Sequence, residues 1–335
     1  MRLHLNENTT GCSPAVIEVL RQLGRLDAGF YPDYEDARQA VARNFGVPAD
    51  YVLLTNGLDE GILAACAVAF RDRSGGVPET LGVVPAFDMY EIFTEALGGH
   101  MVGVPCGPGF TSPLDDLRDA VTLRTRIVFL ASPHNPSGVQ VPLDDLRTFA
   151  RATAPAMLFV DEAYADFSGD TLIDAATFDA LPSLLVGRTF SKAYGIAGLR
   201  VGAVIGNPSM LAPLRQVVPP YSLNAWATAA LPVAIADRAY RDWYVAQAAE
   251  SRRLLSSACD RLGLQTWPSA ANFMLVRVGP QTPHVIAALA VQGIRVRDRS
   301  REPGCEGCVR ITAGITDDTR RVIAALEEAL CDARR

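Results

Sequence analysis

One lysine sits in surroundings where lysines are rarely found. The stretch "TFSKAYGIAGLRVG", residues 189–202, places Lys192 among Phe190, Ala193, Ile196, Ala197, Leu199 and Val201, with Gly195, Gly198 and Gly202 permitting close backbone approach and Arg200 eight positions on. A buried amine must lose its proton, find a counter-ion or form a covalent bond. Two further polar segments precede it, "SPHNPSG" at 132–138 and "DEAY" at 161–164. Each alone reads as a turn or an acidic helix cap. Their succession, with the lysine last, reads as a site.

The elements that must position these residues are legible as short apolar runs. Strands are expected at 51–55, 81–85, 100–104, 126–132, 156–162, 183–190 and 201–206, with helical patterns between several of them. In "DYEDARQAVARNFG" (33–46), Ala37, Ala40, Val41 and Phe45 share one helix face and Gly46 is a fitting terminator. Alternation of this kind predicts an α/β fold with a mainly parallel sheet flanked by helices. After about residue 222 the pattern changes to long helices, short strands at 272–278, 294–297 and 308–312, and a last helix near 316–331, predicting a second, smaller α+β unit. In open α/β sheets ligands bind beyond the carboxyl ends of the strands. The three polar segments lie there.

Composition limits the function classes. The chain has 335 residues, 49% hydrophobic and 20% charged, with a net charge of -6, enough to bury a large core. The arginines of 295–301 alternate with Asp298 and precede Glu302, so no nucleic-acid footprint is expected. No apolar run reaches the roughly 18 to 20 residues of a membrane span, and "MRLHLNENTT" carries no signal-peptide pattern, so a cytoplasmic protein is expected. Seven scattered cysteines suit reduced thiols. The Cys305-x-x-Cys308 pair has no partner pair at zinc spacing and the four histidines are far apart, so no metal site is expected. "GPGF" (107–110) lacks the third glycine of a dinucleotide fingerprint, and no Walker A, HExxH or GxSxG sequence occurs. A cofactor that uses a lysine covalently remains.

At this point the motifs carry a resemblance. "LNEN" (5–8), "YPDY" (31–34), "LLTNGLDEGI" (53–62), "PAFDMY" (85–90), "SPHNPSG", "DEAY", "SKAYGIAGLRVG" and "CVRITAG" (308–314) follow the order found in fold-type I enzymes dependent on pyridoxal 5'-phosphate (PLP). Within them the chain resembles the class I/II aminotransferases, and among those most resembles the histidinol-phosphate aminotransferases. His134 stands where that family commonly has Asn.

The resemblance implies a role for each matched residue. Lys192 matches the lysine that forms a Schiff base with PLP and, once freed, carries a proton between the substrate's α carbon and the cofactor as base and acid. Asp161 matches the carboxylate that stabilises the protonated pyridine nitrogen. Asn135 and Tyr164 match the groups bonded to the phenolic oxygen of the ring, and Phe87 the aromatic stacked on its face. For the cofactor's phosphate, the "NGLDEGI" turn offers the backbone amides of Leu58 and Asp59 at a helix start, joined by Thr189, Ser191 and Arg200. Tyr31 matches a tyrosine donated by the neighbouring subunit, implying a homodimer with shared sites. Arg310 matches the arginine that holds the α-carboxylate, Arg297 the one that reads a distal phosphate, and Asn8 joins them on the substrate side. For Arg295, Arg299 and Arg301 the expectation is solvated arginines on an edge strand.

The expected function is transfer of an amino group between an amino acid or amine, with histidinol phosphate the leading candidate, and a 2-oxo acid such as 2-oxoglutarate. The alternatives are decarboxylation or elimination on the same scaffold, since fold alone does not select the bond broken, and a PLP-binding sensor, against which the lack of a DNA-binding segment counts. The expected organisation is an N-terminal arm at 1–29 joining the small domain, a PLP-binding domain at 30–222 and a small domain at 223–335.

Overall fold

The computed structural model describes residues 1–332. Its larger sheet has seven strands: β1 (Val52–Thr55), β2 (Glu79–Val84), β3 (His100–Pro105), β4 (Thr125–Ala131), β5 (Met157–Asp161), β6 (Leu184–Thr189) and β7 (Gly202–Gly206). These are the seven runs expected from sequence. Their spatial order is β1-β7-β6-β5-β4-β2-β3. The pairings from β6 through β5, β4 and β2 to β3 are parallel, whereas β7 is antiparallel to both β6 and β1. Because β1 and β6 both oppose β7, they run in the same direction. Their carboxyl ends, with those of β4 and β5, therefore share one edge of the sheet.

The alternation of side chains explains why these strands read as continuous apolar runs. Ile127 and Phe129 of β4 enter one core, with Phe159, Leu185 and Val204, while Val128 and Leu130 enter the other, with Leu158, Val186 and Ile205. Both faces are buried, as a parallel sheet covered by helices requires. The helix Gly57–Ala69 covers the first face; the helices Glu35–Phe45 and Leu143–Thr153 cover the second. Glu35–Phe45 buries Ala37, Ala40, Val41 and Ala42 and ends on Gly46 at φ 69°. The helix Ala225–Ala236, beyond the change of sequence pattern, also packs Ala227, Ala230 and Leu231 into this second core. It is apolar around most of its circumference, and such a helix must be covered on most sides.

The second sheet, β8 (Gln265–Thr266), β9 (Phe273–Arg277), β10 (Arg297–Asp298) and β11 (Cys308–Thr312), is antiparallel in the order β10-β11-β9-β8. Strand β10 lies at 297–298, sharing only Arg297 with the expected run at 294–297, and β8 was not expected. Met274, Val276, Val309 and Ile311 form its core with Leu255, Val285, Leu289, Val322 and Leu326 of the helices Arg238–Leu262, Thr282–Val291 and Thr316–Asp332. The first residues of the chain lie along this sheet: Leu3 N donates to Arg295 O at 2.8 Å and Thr312 N to Leu3 O at 3.0 Å. That course carries residues 4–7 across the carboxyl edge of the large sheet. Cys305 and Cys308 bracket the turn that leads into β11, Cys308 N donating to Cys305 O at 2.8 Å, and both are buried beside Phe110 and Trp267.

Candidate active site

A cavity of about 570 Å3 opens at the carboxyl edge of β1, β4, β5 and β6, roofed by residues 2–7 and by β10 and β11. Every expected site residue lines it except Tyr31 and Asn8.

Its floor is set by strand ends. Asp161, the last residue of β5, is buried; its Oδ2 accepts from Tyr90 Oη at 2.6 Å and its Oδ1 from Ala163 N at 2.9 Å. Burial raises its pKa, and the two donors oppose the rise. Tyr164 Oη accepts from Asn6 Nδ2 at 2.9 Å, and the ring packs edge-on against Phe273 with centroids 5.0 Å apart. Asn135 offers its Oδ1 to Arg310 Nη1. Its loop is clamped by His134, whose Nε2 lies 2.8 Å from Pro85 O and whose Nδ1 lies 2.8 Å from Ser137 Oγ. A carbonyl only accepts, so Nε2 carries the proton and Nδ1 accepts from the serine. Burial holds this histidine neutral by lowering its pKa to about 4.

Lys192 departs from the packed interior expected of it. Its neighbours Phe190, Ala193, Ile196 and Val201 are buried, but the lysine itself is half-buried and its side chain opens into the cavity. Nζ donates to Leu5 O at 3.0 Å and lies 5.8 Å from the centroid of the Tyr164 ring. Among the described residues no carboxylate pairs with it. The strand end buries the backbone while the cavity spares the amine the cost of desolvation.

Backbone amides and an arginine meet at one helix start. The helix Gly57–Ala69 begins at the cavity, and its cap residue Asn56 spends its side-chain amide on Ser222 O at 2.9 Å rather than on the helix. The amides of Leu58 and Asp59 belong to the first turn and have no intrahelical acceptor. Gly57 has φ 71°, and a Cβ there would lie 2.6 Å from Arg200 Nη2. A Cβ on Gly202 would lie 2.7 Å from Leu58 N. Both glycines are required by the closeness of β7 and Arg200 to the helix start. Arg200 Nη2 donates to Asp59 Oδ2 at 2.9 Å, and Thr189 Oγ1 accepts from Ser191 N at 3.2 Å.

The opposite wall is cationic. Arg310 is buried; its Nη2 donates to His4 O at 3.0 Å, its Nε has no partner among the described residues, and its guanidinium lies over Phe273 at 5.2 Å. Burial, with Arg299 and Arg297 nearby, lowers its pKa to about 10, which leaves it charged at neutral pH. Arg297 faces Arg310 across the β10–β11 ladder and is exposed. Arg299 corrects the sequence reading: it is no solvated arginine but a buried one lining the cavity, whereas Arg295 and Arg301 are exposed. Asn8 is turned elsewhere, its Nδ2 on Ala193 O at 3.2 Å and its Oδ1 accepting from Thr10 N at 3.0 Å, and Asn6 takes the cavity position instead. Tyr31 is 78% exposed and stacks on Tyr221 with centroids 4.2 Å apart. Phe87 lines the cavity and meets Tyr90 edge-on at 5.8 Å.

These residues fit PLP. An amine free of carboxylates, a buried carboxylate facing the same space, unpaired helix-start amides beside an arginine, and an aromatic face are the partners that the aldehyde, the pyridine nitrogen, the phosphate and the ring of that cofactor need. Fold and cavity together define a PLP-dependent transferase of fold type I.

The model for the family "Aminotransferase class I and II" matches residues 1–326, and the chain belongs to that family. It is a PLP-dependent aminotransferase. It is 34% identical to the histidinol-phosphate aminotransferase of Symbiobacterium thermophilum, over 98% of this chain and 90% of that one. It is also 34% identical to histidinol-phosphate aminotransferase 1 of Cupriavidus pinatubonensis, over 98% of this chain and 88% of the relative. The solved structure of the Sinorhizobium meliloti histidinol-phosphate aminotransferase in complex with pyridoxal-5'-phosphate superposes with a TM-score of 0.90 at 26% identity, covering 99% of this chain and 91% of that one.

Proposed function

We propose that the amino donor is histidinol phosphate and the acceptor 2-oxoglutarate. The observation that carries this reading is the cationic wall: Arg297, Arg299 and Arg310 face one cavity, and Arg310 is buried without a carboxylate partner among the described residues. A buried guanidinium without a counter-ion is costly unless an anion arrives to pair with it. The names of the relatives support the same donor.

In this reading PLP, when bound, supplies the electron sink for the bond broken at the donor's α carbon. Leu58 and Asp59 amides, Thr189, Ser191 and Arg200 hold its phosphate. Asp161 pairs with the ring nitrogen, Asn135 and Tyr164 hold the phenolic oxygen, and Phe87 covers the ring. Lys192 would anchor the cofactor and, once displaced, its Nζ would take the proton from the donor's α carbon and later give it back, acting first as base and then as acid. Arg310 orients the carboxylate of 2-oxoglutarate and glutamate, since histidinol phosphate has an alcohol there; Arg297 reads the distal phosphate. Asn6 holds Tyr164, and we assign Asn8 to shaping the loop behind them rather than to substrate.

We also propose a cytoplasmic homodimer in which Tyr31 reaches the PLP phosphate of the neighbouring copy. Its exposed, stacked ring supports a role outside its own cavity. Light scattering checks the dimer, and Tyr31→Phe is expected to weaken PLP retention by about tenfold or more, the worth of a hydrogen bond to a charged group. The donor is tested by incubating the holoenzyme with single amino donors and following conversion of the cofactor to pyridoxamine phosphate. Histidinol phosphate should convert it fastest; conversion by other donors alone overturns the assignment.

A further inference from the structure

We propose that Arg299 anchors the distal anionic group of the substrate, a phosphate monoester, and that Glu302 is its resident counter-ion, displaced when that anion binds. The inference extends the reading above to residues it leaves without a role.

Arg299 is 4% exposed and lines the cavity. Strand alternation puts it there: Arg297 is in register with Arg310, Arg299 lies two residues further on the same face, and Arg299 N continues the ladder by donating to Cys308 O at 3.1 Å. The intervening Asp298 instead accepts from Ser300 N at 2.8 Å. Arg299 Nε and Nη2 make no aligned hydrogen bond among the described residues. Its one ionic contact is Glu302, with Oε2 2.6 Å from Nη2, yet neither atom is placed to form a hydrogen bond. The contact is close but poorly directed, so a planar fork that could take two oxygens is engaged by one, off axis.

Glu302 is a weak holder of this position. It is brought back by the turn in which Glu302 N donates to Arg299 O at 3.0 Å, and its carboxylate is 26% exposed. Burial raises its pKa; Arg299 opposes the rise and Asp88 adds to it. An incoming dianion, attracted also by Arg297, takes the fork while the partly exposed Glu302 turns toward solvent. A neutral distal group has nothing to displace the carboxylate with, so the exchange selects for charge.

The test is calorimetric titration of inorganic phosphate into the PLP-loaded protein, whose cofactor cup is already filled. Arg299→Gln should weaken phosphate binding by about tenfold or more. Arg299→Lys, which keeps the charge and loses the fork, should fall between. Glu302→Gln should tighten binding by about twofold to fivefold, the worth of a partly exposed ion pair. Unchanged cofactor absorbance qualifies each variant as folded. Opposite responses of the two positions support the anchor. No binding to the unmodified holoenzyme, or the same affinity in all three variants, overturns it. A separate arm with histidinol phosphate keeps the two readings apart: failure of that donor, with phosphate binding still dependent on Arg299, counts against the donor and for the anchor.

Discussion

Tyr90 donates its phenolic proton to Asp161 at 2.6 Å, from a ring stacked face to face on Phe129 with centroids 4.6 Å apart. The tyrosine is fully buried on the helix Met89–Ala96, so the bond is held by packing and not by chance of rotamer. It stabilises the ionised carboxylate where burial disfavours it. Tyr90→Phe is therefore expected to raise the pKa of Asp161 further and to lower turnover by about tenfold to a hundredfold, with the acid limb of the pH profile moving to higher pH. An unmoved limb would show that Tyr90 only fills space.

The same carboxylate makes a stability prediction for the apoprotein. A folded pKa above the unfolded one means that the folded state binds the proton more tightly, so stability falls as pH rises through the raised pKa. Asp161→Asn removes that burden and keeps an acceptor for Tyr90. Thermal melts of the apoprotein at neutral pH should show a variant no less stable than the parent, while turnover is lost. A large drop in melting temperature would mean that the ionised form stabilises the fold.

Gly57 tests the proposed phosphate site without replacing a charged residue. An added methyl would lie 2.6 Å from Arg200 Nη2, at a backbone φ of 71° that disfavours any side chain. Gly57→Ala should push Arg200 away from the helix start and weaken PLP affinity by about tenfold or more, the worth of one charge-assisted hydrogen bond. Dialysis followed by cofactor titration measures it. The fold should survive, because Arg200 is exposed and can move.

The large sheet was legible because both of its faces are buried: Val, Ile, Leu and Phe then run without interruption through β4, β5 and β6, and the turns that end them stand out. The cationic wall was only half legible. Arg299 sits in a run of alternating charges, which reads as solvated, and only the pairing of β10 with β11 shows that positions 297 and 299 share an inward face. Tyr90 lies 71 residues from its acceptor, and no local pattern announces such a bond. Asn6 and Asn8 are indistinguishable in "LNEN"; the turn closed by Thr10 separates them. Lys192 was found by the oddity of its apolar neighbours, although the cavity, not the packing, determines its environment.

Lys192→Ala tests the centre of the site. Among the described residues no carboxylate forms an ion pair with the amine, and its removal should abolish covalent attachment of PLP and reduce turnover by several orders of magnitude. Borohydride reduction, digestion and mass spectrometry locate the attachment. Lys192 is the only lysine of the sequence, so a reduced protein whose Lys192 peptide lacks the cofactor's mass would refute the assignment.

The last prediction separates the two arginines that face each other across the β10–β11 ladder. Arg310 is buried and bonded to Asn135 and to His4 O, so its position is fixed before any ligand arrives. Arg297 is exposed and its side chain makes no hydrogen bond or ion pair among the described residues, so it is free to follow a ligand's far end. Arg310→Gln should therefore impair glutamate and 2-oxoglutarate by about 2 to 5 kcal/mol, because a carboxylate left unpaired in the cavity loses charge and orientation together. Loss of Arg297 should cost less, about 1 kcal/mol for an exposed pair, and only with donors that carry a distal anion. Specificity constants for each variant, measured with one donor bearing a distal charge and one without, give four comparisons. Equal losses in all four would show that the two guanidinium groups act as a single field, whereas a loss confined to the charged donor in Arg297→Gln alone would establish the division of labour.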